Sequence, residues 1–296
     1  MKRFVTTVIL QLFVLSMMSL SFLFLSVSAQ EYDVYVGGTG PGNYTSIQTA
    51  ISNAVSHSTI YVYPGIYYEH LSINKSIRLF GENQTTTVID SEQTSSCILL
   101  YANNTVIQNF TIRNGSDDFP NAGIMVYSQN NIIAHNHLTD NLYGIILYSP
   151  AASNMIIGNV IDHNHRCGIY LSGSTDNCIL VNTIDDQPFN GVGLFDFSNS
   201  NIIQGNTFSQ MHLNGVVVHD SYNNSIIENS FRDNNIGLHL WPPGLYAQVN
   251  NNVFVGNTRD LYEEEHAFLP AWMAFAFFAV IGFFILKKLL HVSKKP

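Results

Sequence analysis

Charged side chains are scarce in this sequence. Asp, Glu, Lys and Arg make up 11% of its 296 residues, where an average soluble domain carries about a quarter. The shortage falls on the basic side. Lys and Arg total 12, and six of them sit at the two ends: Lys2, Arg3, Lys287, Lys288, Lys294 and Lys295. Between Glu31 and Glu265 lie all 21 acidic residues and six basic ones, a formal balance of −15. That balance excludes nucleic acid, which needs basic patches. It also disfavours acidic polysaccharide, because pockets for uronates are built from Arg and Lys. Neutral glycans and cations are left as partners.

Cysteine is rare as well. Cys97, Cys167 and Cys178 are an odd set of three, so at least one thiol is unpaired and no disulfide framework is implied. Pairing of Cys167 with Cys178 stays open, with free buried thiols the expected state. Helical periodicity is nearly missing too. One stretch has it: Ile47, Ala50, Ile51, Ala54 and Val55 fall on one face at i, i+3, i+4, i+7 and i+8. This predicts a short amphipathic helix between Tyr44 and Val55, suited to plug the open end of a stacked fold.

What is present is a repeat. Aligned on one glycine, the chain reads GIMVYS from Gly123, GIILYS from Gly144, GIYLSG from Gly168, GVGLFD from Gly191, GVVVHD from Gly215 and GLHLWP from Gly237. A second register runs on Asn136, Asn159, Asn182, Asn206, Asn229 and Asn252, and two residues after each stands a large apolar side chain, from Leu138 to Phe254. A constant period of this length marks a solenoid. Its apolar runs last three to five residues and alternate, which suits strands and is too short for helices. Gly, Asn, Asp and Ser between them are corner residues that tolerate positive φ. Parallel coils stack at roughly 4.8 Å, so equivalent residues pile into columns, and stacked asparagines hydrogen-bond along theirs. The fold class is therefore all-β, a parallel β-helix of about 8–9 coils with a short N-terminal capping helix.

The run YTSIQTAISNAV from Tyr44, then IYVYPGIYYEHLSINKSIRLFGEN from Ile60 and VID at Val88, followed by the Asn/Gly repeats, resembles right-handed β-helices of the pectin-lyase-like superfamily. Within it the chain is most similar to NosD-type surface proteins with carbohydrate-binding-and-sugar-hydrolysis repeats, over residues 44–258. The resemblance implies a right-handed coil and an extracytoplasmic setting. It specifies an activity poorly.

Segment boundaries follow from hydropathy. Residues 1–29 read as a signal peptide, with Lys2 and Arg3 before an apolar stretch and Val27-Ser28-Ala29 as a small-residue cleavage site. Residues 30–58 form the N-terminal cap and 59–260 the solenoid. Residues 267–286 are an uncharged apolar run long enough for one transmembrane helix, and the basic tail 287–296 falls on the cytoplasmic side. The expected product is a single-pass protein of the cell membrane, with its ectodomain outside.

Three readings of function arise. After each aligned glycine the first and third residues point inward, so the second and fourth point out. The fourth reads Tyr127, Tyr148, Ser172, Phe195, His219, Trp241, and the second includes Tyr170 and His239. Such an apolar, aromatic outer face suits a glycan or a cell-envelope protein, a second copy of the chain included. This non-catalytic reading takes Tyr127, Tyr148, Tyr170, Phe195, His219, His239 and Trp241 as ligand-binding residues. The second reading is a carbohydrate-active enzyme of glycosidase or lyase type. Asp162 and Asp185 fall one coil apart, a spacing near that of paired glycosidase carboxylates, and the closeness of like charges is expected to raise one pKa. Yet the superfamily's Asp–Arg–Lys and Gly-His-Gly signatures are missing. The third reading, copper handling, is what the NosD resemblance implies. His135, His137, His163, His165, His212, His219 and His239 are the candidates, although their pairs fall in different columns. No metal is assigned; a divalent cation or copper is the open option.

Overall fold

The short alternating runs all become strands, and the columns follow. In the computed structural model, residues 32–242 and 246–264 are described. Each coil contributes one strand to each of three sheets, as in Ile132–Ala134, His137–Thr139 and Tyr143–Tyr148. The first sheet has ten strands, from Val34–Val36 to Gln248–Asn250. The second runs from Gly65–Tyr68 to Val253–Val255, and the third from Leu71–Ile73 to Arg259–Glu263, with nine strands each. All pairings are parallel and strictly coil to coil; Ile145 pairs with Ile124 on one side and Ile169 on the other. The solenoid thus has about ten turns rather than eight or nine. The extra turn comes from Val34–Val36, which pairs with Thr59–Val62 ahead of the glycine repeat.

The inward positions read from the sequence form one continuous core. Ile124, Val126, Ile145, Leu147 and Leu238 are fully buried, and Leu240 is nearly so. The aligned glycines have a different purpose from corner flexibility. None of the six has positive φ; a Cβ on Gly144 would sit 2.6 Å from the carbonyl oxygen of Gly168 and 2.7 Å from Ile161. The repeat keeps glycine because successive backbones close in there.

Asparagine ladders hold the corners. Asn159 shows the unit: its amide nitrogen donates to Ile133 O (2.9 Å) and to Asn182 Oδ1 (3.0 Å), and its own oxygen accepts from Asn136 N and Nδ2. This column runs from Asn136 to Asn252. A parallel ladder links Asn131, Asn154, Asn177, Asn201 and Asn224. A third joins Asn141 to Asn164 and Asn234 to Asn257, with Gln187 and Met211 in the gap between. The residue before each ladder asparagine is left-handed, which makes Val181, at φ 54°, a strained β-branched exception between Gly158 and Gly205.

The N-terminal helix, α1 (Ile47–Asn53), buries Ile47, Ala50 and Ile51 on the first coils. Its first turn is held by the Glu69 carboxylate, which accepts from Ile47 N, Gln48 N and Ser46 Oγ at 2.8–2.9 Å. Val55, expected on the buried face, is 75% exposed. The helix ends at Asn53, and extended Ala54 turns Val55 outward. Among the described residues no helix is long and apolar enough to cross a membrane. The leader 1–29 and the apolar run 267–286 lie outside the described residues.

Candidate functional site

The third sheet has the longest strands, five or six residues each in its central and C-terminal part. Length gives its outer surface three columns where the second sheet has two. Strand pairing aligns them: Tyr148, Ser172 and Phe195 in one, Ile146, Tyr170 and Gly193 in the next, Tyr143 with Cys167 and Asn190 with Asn214 in the third. On an outer surface these side chains are unusually sheltered. Ile146 is fully buried, and Met125, Val217 and His239 are 3%, 5% and 8% exposed. Met125 and Ile146 belong to a cluster against which Leu99, Tyr127, Tyr148 and Tyr170 pack, and His239 lies against Trp241 and Tyr262.

The rings form a continuous ladder. Tyr101, Tyr127 and Tyr148 stack at 5.3 and 6.1 Å with interplanar angles of 12° and 24°. At Tyr148 the stack breaks, with Tyr170 at 70°; it resumes between Tyr170 and Phe195 at 5.1 Å and 24°, and His219 then meets Phe195 and Trp241 at 38° and 56°. His239 then contacts both Trp241 and Tyr262. Parallel stacking uses up ring faces, so the N-terminal half presents edges and hydroxyls. Tilting at His219 and Trp241 offsets the rings of that end from parallel stacking. Burial and neighbouring phenols push the Tyr148 hydroxyl up to about 12, so it stays a neutral hydrogen-bonding group.

A polar line runs under this ladder. His239 Nδ1 lies 3.2 Å from Asn214 Oδ1, Asn214 Nδ2 donates to Asn190 Oδ1 at 2.7 Å, and Asn190 Nδ2 donates to Cys167 Sγ at 3.7 Å. An amide oxygen only accepts, so Nδ1 carries the imidazole proton. Burial lowers the His239 pKa and favours the neutral ring. Its Nε2 has no partner among the described residues. Sequence reading missed this line because strict alternation gives the residue before the aligned glycine the inward parity of the first and third positions, whereas Tyr143 and Cys167 pack with the outer cluster.

Asp162 and Asp185 are direct neighbours in register on the second sheet. Their surroundings do not suit a general acid. Asp162 meets His137 Nε2 at 2.9 Å and His163 Nδ1 at 3.4 Å, while Asp185 accepts from Ser209 Oγ at 2.5 Å. Burial raises the Asp162 pKa, but the hydrogen bonds from His137, Thr139 and His163 outweigh it, and the net shift is downward. The expected rise at this aspartate is therefore reversed.

His163, His165 and His212 fall along the corner that follows the second sheet. His163 Nε2 and His212 Nε2 face the two oxygens of Asp186 at 3.4 and 3.6 Å, and His165 meets Asp117. His135 and His137 do not share a strand face, because His135 occupies the left-handed turn at φ 52°. Copper needs three or four convergent nitrogen or sulfur ligands. His137, His163, His165, His212 and His219 each face a carboxylate, and no group of three or more candidate ligands gathers among the described residues. The residues present do not fit a copper centre. The three cysteines are free: Cys97 and Cys167 are buried and Cys178 half-buried. Burial pushes the Cys97 thiol up to about 12.

Against this geometry the comparisons can be weighed. Residues 51–274 match the family described as periplasmic copper-binding protein (NosD). The chain belongs to the NosD family. No curated protein shows a significant sequence match. Among solved structures, pectin methylesterase PemA from Erwinia chrysanthemi superposes with a TM-score of 0.60 at 13% identity, covering 81% of this chain and 94% of that one. YbhC of Escherichia coli gives 0.59 at 12% identity, over 78% and 87%. The catalytic domain of a GH87 α-1,3-glucanase in complex with tetrasaccharides gives 0.58 at 14% identity, over 77% and 46%. At such identities the likeness speaks for the fold: this NosD-family chain is a parallel β-solenoid of the pectin-lyase-like kind.

Proposed function

We propose that the chain is a membrane-tethered, extracytoplasmic β-solenoid that binds a neutral glycan along the outer face of its third sheet. The aromatic ladder carries this reading, because coil stacking needs no rings on an outer surface. The deficit of basic residues favours a neutral ligand over a polyanion. The structurally similar glucanase catalytic domain is in complex with tetrasaccharides, which supports a saccharide as the class of ligand. Tethering rests on the apolar run 267–286 with the basic residues after it. A cell-envelope protein docked on the same face is the alternative that the test separates.

The test is retention of the full-length protein, purified in detergent, on an array of neutral and acidic glycans. Retention on neutral glycans is expected, weakened about tenfold in Trp241→Ala, where a tilted ring is lost. Loss of retention in Tyr127→Ala but not in Trp241→Ala would move the site to the stacked half. No retention on any glycan would sink the reading.

A further inference from the structure

The two ends of the solenoid are finished differently. At the N-terminal end the inward residues Val36, Ile60 and Val62 are fully buried, with helix α1 lying over them. At the C-terminal end the inward residues are Val249, Phe254 and Leu261. The first two are half-buried and Leu261 is 44% exposed, while their partners one coil back, Ile226, Phe231 and Leu238, are fully buried. Val253 and Val255, 54% and 50% exposed, extend the apolar rim. No described residue closes this end, and an uncapped solenoid leaves its core in water.

The chain itself points to the cap. The last described residue is Glu264, and the apolar run begins at Ala267. Three residues reach at most about 10 Å. We propose that the C-terminal coil rests on the lipid headgroup layer, so that the bilayer surface is its cap. This rests on the reading of 267–286 as a membrane span.

The chemistry of the rim fits that depth. Tyr246 and Tyr262, at the last coil, are rings with a polar edge, the kind favoured at a membrane interface. Arg259, held 4.9 Å from the Tyr262 ring, offers a cation to phosphate. Exposed Asp260 and Glu263 and the unpaired backbone edge of Arg259–Glu263 need water, which stops the coil at the headgroups. The solenoid then stands upright, with α1 roughly 40–45 Å from the surface.

The full-length protein in phosphatidylcholine nanodiscs tests this. With Trp241 and Trp272 changed to Phe, a single reporter is placed by Val253→Trp at the rim or by Thr49→Trp on helix α1. Lipid brominated near the headgroup should quench the Val253→Trp variant and leave the Thr49→Trp variant to aqueous iodide. Equal iodide quenching at both positions overturns the proposal, as does shielding of the rim that appears only in protein dimers, which would make a second copy the cap. Release of the wild-type chain from membranes by alkaline carbonate would instead remove the spanning reading on which the proposal rests.

Discussion

The outer faces of the second and third sheets are built by the same coils, at the same period, on either side of one asparagine ladder, and they are chemically opposite. The second presents Thr183, Thr207, Ser230, Asp162 and Asp185, partly or fully exposed. The third shelters Ile146 and Met125 among its rings and buries Val217 as well. Coil stacking cannot account for the difference, because it is satisfied equally on both sides. The excess apolar content of the third face is therefore a property beyond folding, and it is the face on which the proposed glycan site lies.

The comparison is broken most severely by a charge. Ile146→Asp puts a carboxylate at a fully buried outer position and should cost about 4 kcal/mol, seen as a large drop in melting temperature. Thr183→Asp, at an exposed position on the second sheet, should stay within about 0.5 kcal/mol. Equal effects would mean the two faces are not distinct. Asn182→Ala removes hydrogen bonds to Ile156, Asn159 and Asn206 at the corner between the first and second sheets. It should cost about 3 kcal/mol by chemical denaturation, a measure of what the scaffold alone requires. Val181→Gly relieves the left-handed valine between two ladder glycines and should stabilise by about 1 kcal/mol. The smallest effect belongs to Asp162→Asn. The folded Asp162 pKa is depressed, so its contribution is present above the ordinary carboxylate pKa of about 3.9 and is lost as pH falls through the lower folded value. Acid melting curves of wild type and variant should converge in strong acid and differ by about 1 kcal/mol or less near neutrality.

Much of the fold was legible because the repeat is read in register. One glycine and one asparagine per coil were enough to assign the inward residues from Ile124 to Leu240 and the ladder from Asn136 to Asn252. The other two ladders were overlooked, one because Gln187 and Met211 interrupt it, the other because Asn131 follows another asparagine. Val34–Val36 was read as part of the cap because it precedes the repeat and is separated from its partner strand by a helix. The site was only half legible. Alternation tells which side chains point out, and it identified Tyr127, Tyr148 and Trp241. It is silent on ring tilt and on the buried line from His239 to Cys167, which depend on how three columns pack across neighbouring coils.

The asparagine ladders also make this molecule a ruler. Each coil is tied only to the coil before and the coil after, through bonds that are the same at every step. A block of 23 or 24 residues, the spacing of the ladder asparagines, can be duplicated or deleted without changing what its neighbours meet. Every such event moves the N-terminal helix along the axis by roughly 4.8 Å. Any other length breaks the ladder. The reach of the solenoid is therefore quantised, and copying errors in its gene would change its height in whole graduations while leaving its faces aligned.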